Sequence, residues 1–231
     1  MNEITTSRFK GAVWFSSKVR NVIVGGAGSL GSFTSLLLAR MNFKPFVYDF
    51  DKIEEHNLAG QFFGYNDVGS YKVDALRRRI QDFALVNINV SKDHYDQNSY
   101  ADKFMFSCFD NMKAREIFFN NWCKYVENNY DEKDKHKVPI FIDTRLNFEN
   151  MQIFCVTPDK IEDYKKSLFS DDKIPDEICT LKSTTHISCM ASSHAVGFFT
   201  NHLSNCVTGE DDREVPFRWD YILPMNTVIN E

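Results

Sequence analysis

The sequence predicts an α/β fold, a doubly wound and mainly parallel sheet with helices on both faces. Two observations carry this. Short apolar runs alternate with amphipathic, helix-period stretches through the first two-thirds of the chain. That alternation implies βαβ units, because parallel neighbours need a crossover between them. In addition, the apolar run Val22-Ile23-Val24 leads straight into Gly26-Ala27-Gly28-Ser29-Leu30-Gly31, which opens an apolar-periodic stretch from Leu30 to Met41. Strand, tight glycine turn and helix in that order form a Rossmann-like unit, whose backbone N–H groups approach a phosphate at the helix N-terminus.

The elements follow in order. Phe46-Val47-Tyr48 reads as the second strand and ends in Asp49-Phe50-Asp51. Lys72 to Val86 is a charged amphipathic helix carrying Leu76, Ile80, Phe83 and Leu85, and Ile88-Asn89-Val90 is a short strand. Phe104 to Phe109 reads as a buried strand ending at Asp110-Asn111, with a helix over 112–126. The polar stretch from Asn128 to Lys137 is a solvated loop. Val138 to Ile142 is a strand running into Asp143-Thr144-Arg145, and Gln152 to Val156 is another. The last third changes character. Residues 158–175 read as polar helix and loop, Cys179 to His186 as a polar turn, and Ser188 to about Cys206 as a helix. Beyond Gly209 an acidic and then aromatic tail reads as a terminal segment docked on the body. The division is a nucleotide-binding domain over 1–160, with the cysteine loop, helix and tail of 161–231 packed on it.

Composition narrows the classes. The chain has 231 residues, 43% of them hydrophobic and 21 of them Phe, enough for a sizeable core. A net charge of −5 argues against nucleic acid as the main partner, since a surface that tracks phosphates makes a domain basic. No apolar run is long enough to span a bilayer, and the first six residues lack the basic and apolar regions of a signal peptide. The expectation is a soluble cytoplasmic protein. Six scattered cysteines with no C-x-x-C pair read as reduced thiols, and neither as a disulfide framework nor as a zinc knuckle. His186 and His194 have no evident third partner for a metal.

Ligands in open α/β sheets sit beyond the carboxyl ends of the strands. Three acids fall at such ends: Asp49, Asp110 and Asp143. Asp49, about twenty residues past the glycine loop, suits a ribose hydroxyl, or it simply solvates a loop. A carboxylate facing phosphates is repelled unless a cation intervenes, so the natural task of Asp110 is to hold Mg²⁺; it could also cap the helix that follows.

Further motifs accompany these: Asn57-Leu58-Ala59-Gly60-Gln61, Gly69-Ser70-Tyr71-Lys72, and Asp110-Asn111 followed by Arg115. Together with the glycine loop and Asp49-Phe50-Asp51, in this order and near this spacing, they resemble the ubiquitin-activating enzymes and the ThiF-type bacterial adenylyltransferases of thiamine and molybdenum-cofactor synthesis. The resemblance covers roughly residues 20 to 125. It implies an ATP site built from Gly26, Gly28, Ser29, Gly31, Asp49, Asp51, Asn57, Gln61 and Lys72, with Asn57 and Lys72 on the phosphates and Mg²⁺ on Asp110. It further implies a homodimer that adenylates the C-terminal carboxylate of a ubiquitin-like or sulfur-carrier protein. Cys179, in a polar loop ahead of a helix, resembles the cysteine that accepts the acyl group as a thioester; Lys182 and His186 nearby could lower its pKa. The plain alternative is a bystander thiol.

One departure stands out. Where the family carries an arginine before Gln61, this chain has Gly60. Three accounts are open: Arg8 or Arg145 supplies the missing cation, catalysis is slower, or the chain binds nucleotide without turning it over. Arg8 is attractive because related enzymes lend an N-terminal arginine across a dimer interface. An NAD-dependent oxidoreductase is the rival from another class, but it would leave Asn57, Gln61 and Lys72 without a task.

Overall fold

The computed structural model describes residues 7–16, 18, 20–169 and 184–231. Among these residues, eight strands form one sheet in the order β3-β2-β1-β4-β5-β6-β7-β8. The strands are β1 (Arg20–Gly25), β2 (Phe43–Tyr48), β3 (Asn89–Ser91), β4 (Phe104–Ser107), β5 (Ile140–Asn147), β6 (Asn150–Val156), β7 (Arg218–Ile222) and β8 (Thr227–Asn230). The first five run parallel, with β1 in register Val24↔Val47 against β2 and Val24↔Phe106 against β4. From β5 onward the pairing is antiparallel. The expected doubly wound, mainly parallel sheet is therefore present.

Among the described residues, five α-helices cover its faces: α1 (Ser29–Arg40), α2 (Lys72–Ala84), α3 (Met112–Asn129), α4 (Ile161–Lys166) and α5 (Thr185–Thr208). Strand side chains alternate between faces, which divides the core in two. Val22, Val24, Phe106 and Ile142 join Leu38 of α1, Leu76 of α2 and Phe199 of α5 on one side. Ile23, Met105 and Phe141 join Phe118, Phe119 and Trp122 of α3 and Tyr164 of α4 on the other. The 24 residues of α5 make a rod of about 36 Å. It packs on α1, where Ala191 and Ala195 share a core with Leu30 and Leu38 and Ser192 Oγ donates to the Leu30 carbonyl at 3.1 Å. Among the described residues, no helix is long and apolar enough to cross a membrane.

Two expectations need correction. The tail does not merely dock: Arg218–Ile222 and Thr227–Asn230 are strands that extend the sheet, held by pairs such as Ile153↔Trp219 and Tyr221↔Val228. And β5 does not stop at Ile142. It continues to Asn147 because β6 pairs with it over its whole later half, from Ile142↔Cys155 to Asn147↔Asn150. Asp143 is consequently a mid-strand residue, fully buried, and not an acid at a strand end.

Candidate nucleotide site

The glycine loop is built from contacts that leave no room for side chains at two positions and open space at a third. Gly26 has φ +92°, and a methyl group on it would meet the Cys108 carbonyl oxygen at 2.8 Å. A methyl on Gly31 would overlap the carbonyl of Gly26, so the first turn of α1 presses directly on the loop. Gly28, the N-cap of α1, is different: a Cβ there meets nothing within 4 Å, and no side chain caps the helix. A helix N-terminus with an open glycine in front of it is a cradle for an anion.

Asp49 follows β2 and faces this loop. Its Oδ2 accepts from the Ala27 N–H at 2.7 Å and its Oδ1 from the Asp51 N–H at 2.8 Å. Burial pushes its carboxyl above the usual range, and the attraction of Lys72 together with the two amide bonds does not fully offset this. Lys72, at the start of α2, is buried; its Nζ bonds Asp51 Oδ2 at 2.7 Å and its N–H bonds the Asp51 carbonyl at 2.9 Å. Asn57 Oδ1 accepts from the Glu54 N–H at 3.0 Å, which closes the turn of residues 54–60. The chain after it is fastened beside α1, where the Phe62 N–H donates to Ser32 Oγ at 3.0 Å. Gln61 Oε1 is buried with no hydrogen-bond partner, an acceptor left over at the edge of the site. Phe50, half exposed, stacks on His94 with ring centroids 3.7 Å apart; nothing in the sequence pattern pointed to that pair.

Asp110 is exposed on the neighbouring strand end. The Cys108 N–H donates to the Gly25 carbonyl at 2.8 Å, which sets the turn carrying Asp110 beside the glycine loop. The following helix is capped by Asn111, whose Oδ1 accepts from the Ala114 N–H at 2.8 Å. Asp110 is thereby free of the capping role. One exposed carboxylate beside an anion cradle suits Mg²⁺, which is held by few protein oxygens and completes its shell with phosphates and water. Among the described residues, no group of three or more His, Cys, Asp or Glu could hold a metal without such help.

The other acid, Asp143, belongs to a different network. Arg115 donates to Asp143 Oδ1, Arg145 Nε donates to Oδ2 at 2.6 Å, and the Tyr164 hydroxyl donates to Oδ2 at 2.9 Å. Burial alone would raise the Asp143 carboxyl, but the two arginines and these hydrogen bonds bring it below the usual range. This also corrects the expectation for Arg145. Its guanidinium is engaged by Asp143 and by the Ser167 carbonyl and hydroxyl, each at 3.2 Å, and it is no loose cation for a triphosphate. Sequence reasoning gave Arg115 no role, although its place one turn after the Asn111 cap was visible; Tyr164 had no signal at all.

Arg8 lies exposed on the Ser7–Phe9 turn, anchored by stacking of Phe9 on Trp14 at 5.6 Å. Cys179 and Lys182 lie outside the described residues. His186 is exposed in the first turn of α5, while His194 stacks on Trp219 at 4.5 Å. Cys108 and Cys155 are buried; burial pushes the Cys108 thiol up to about 12. The start of α5 touches the segment that carries Gly60, for Thr185 Oγ1 donates to the Ala59 carbonyl.

Fold and loop together define a Rossmann-like α/β protein with an acid and a lysine at adjacent strand and helix ends. More closely, residues 15–220 match the ThiF family, and the chain belongs to it. Ubiquitin-like modifier-activating enzyme 5 of Bombyx mori is 29% identical over 134 residues, which is 49% of this chain and 33% of that enzyme. The same enzyme of Aedes aegypti is 27% identical over 133 residues, again 49% of this chain and 33% of the enzyme. The match thus spans about a third of the length of these relatives. Among solved structures, E. coli MccB with ATP aligns at TM-score 0.68 and 15% identity, covering 100% of this chain and 71% of that one. PaaA aligns at TM-score 0.62 and 18% identity, covering 92% and 63%. At such identities these two establish the fold alone.

Proposed function

We propose that this protein uses ATP and Mg²⁺ to adenylate the C-terminal carboxylate of a ubiquitin-like protein, sulfur-carrier protein or peptide. The observation that carries the reading is the open cradle at Gly28, with Asp49 bonded to the neighbouring Ala27 N–H, Lys72 paired with Asp51, and the exposed Asp110 two residues beyond Cys108, which is bonded to Gly25. ATP fits these residues: the helix N-terminus takes phosphate, Asp49 reaches a ribose hydroxyl, and Lys72 exchanges Asp51 for a phosphate oxygen. The family resemblance adds Asn57 and Gln61, whose Oε1 is buried without a partner, to this set. Bound Mg²⁺, held by Asp110, would supply charge neutralisation on the phosphates.

In the reaction a carboxylate oxygen bonds to the α-phosphorus, the bond to the bridging oxygen breaks, and pyrophosphate leaves with that electron pair. The acyl-adenylate is the product. No general base is needed, because a carboxylate is ionised at neutral pH. The loop amides and Lys72 stabilise the charge that develops on the phosphates. The relatives named for ubiquitin-like modifier activation, and the MccB structures solved with ATP and with MccA, support this substrate class.

Further parts of the proposal are a homodimer that brings Arg8 to the triphosphate in place of the arginine missing at Gly60, and thioester formation on Cys179. ATP–pyrophosphate exchange tests the core reading. Exchange that requires Mg²⁺ and disappears in Asp110→Ala is expected. Binding of ATP without exchange in the presence of any carrier would mark a chain that has lost turnover at Gly60, and stabilisation by NAD⁺ instead of ATP would overturn the reading. For Cys179, the Cys179→Ala variant is expected to form adenylate but no reducible conjugate.

A further inference from the structure

The turn that carries Asp110 is fixed at both ends. Its start is held by the Cys108 N–H on the Gly25 carbonyl at 2.8 Å, and its end by the Asn111 cap on the Ala114 N–H at 2.8 Å. Between them lies the Phe109 carbonyl, directly before Asp110, and Arg115 donates to it. The same guanidinium donates to the Thr144 carbonyl at 3.1 Å and to Asp143. Arg115 therefore bridges the Asp110 turn to the middle of β5. Asp143 is fully buried and held from the other side by Arg145 and Tyr164, so it is a rigid anchor for Arg115. The ring of Phe109 completes the clamp by lying over Gly25, where any side chain would collide with it.

Stability alone does not call for this arrangement. Buried ion pairs and triads can be exchanged for apolar residues of similar volume without loss, and sometimes with gain. What an apolar group cannot do is take the carbonyl that precedes an exposed acid and hold it in one place. Partners behind a metal ligand are worth about 10–100-fold in metal affinity.

We propose that Arg115, anchored by Asp143, is a positioning residue that holds Asp110 in the orientation needed for Mg²⁺ on the nucleotide. The inference rests on the assignment of Asp110 given above. The test is ATP affinity measured by titration calorimetry with and without Mg²⁺, in wild type, Arg115→Met, Asp110→Asn and the double variant. Arg115→Met leaves Asp143 paired with Arg145 and Tyr164; should it fail to fold, Arg115→Lys takes its place. The expected result is a loss of about tenfold in Mg²⁺-dependent affinity, unchanged metal-free affinity, and no further loss when Arg115→Met is added to Asp110→Asn. Equal losses with and without Mg²⁺, or losses that multiply in the double variant, would show a structural role only and overturn the proposal. A wild type whose ATP affinity ignores Mg²⁺, or that binds no ATP, would instead remove the assignment on which it rests.

Discussion

Asp49 and Asp143 look alike in the sequence, each closing an apolar run, yet the structure uses them in opposite ways. Asp49 stands at the end of β2, half-buried, with two amide N–H groups and the more distant Lys72 to balance its charge. Asp143 sits inside β5 between two arginines and a tyrosine hydroxyl. Burial works against the charge in both, but only Asp143 has partners strong enough to reverse it. The lesson is that a buried carboxylate is read from its cations: well compensated, it is framework; poorly compensated and facing an open cradle, it is available to a ligand.

This contrast predicts that the substitutions that damage stability most are not those that damage nucleotide binding most. Asp143→Ala leaves Arg115 and Arg145 buried without their anion and is expected to cost about 3–5 kcal/mol in urea denaturation at pH 7; a loss below 1 kcal/mol would dissolve the distinction. Gly31→Ala, which drives a methyl into the Gly26 carbonyl, is expected to cost about 1–3 kcal/mol. Asp49→Asn removes a charge that burial disfavours but turns an amide nitrogen towards the N–H of Ala27 or Asp51, so it is expected to cost about 1–2 kcal/mol, while ATP binding is lost. Gly28→Ala changes stability least, within about 0.5 kcal/mol, and it too weakens ATP by filling the cradle; retained affinity in Gly28→Ala would show that phosphate sits elsewhere.

The two acids also separate on a pH axis. The folded Asp143 titrates below the ordinary value of about 3.9, so its contribution is complete above that value and is lost as pH falls through the lower folded one. Asp49 titrates above its ordinary value, so the native state takes up its proton first and gains stability as pH falls towards about 3.9. Denaturation midpoints from pH 2 to pH 7 are expected to fall less steeply on the acid side in Asp143→Asn, the rest of the fall coming from carboxylates such as Asp67 that are also held low, and to fall earlier in Asp49→Asn. Parallel profiles for the two variants would contradict the contrast.

The strand, glycine turn and helix at this end of the sheet were legible because they are local. A strand, a glycine turn and a helix are contiguous, and Asp49 and Lys72 lie in short motifs around them. Where distant chain segments decide the outcome, the residues gave less. Asp143 reads as the end of a strand until β6 pairs alongside and prolongs it, and its neutralisation depends on Arg115, 28 residues away. Arg145 reads as a spare cation for the same reason. Thr227–Asn230 is exposed throughout; only its pairing with β7 makes it a strand. Asn111 rather than Asp110 caps α3, a choice between adjacent capping residues that composition does not make.

The close approach of Gly31 to Gly26 has a consequence for entropy. Gly26 N–H is already bonded to the Tyr48 carbonyl at 2.8 Å, Ala27 N–H to Asp49, and the α1 turn already rests on the loop. Fixing a residue's backbone costs about 1–2 kcal/mol, and for these loop residues that ordering is completed when the chain folds. A ligand at the start of α1 would meet a loop that need not be frozen, and the Gly26 and Ala27 amides, already bonded within the fold, are accordingly expected among the slowly exchanging hydrogens of the unliganded protein.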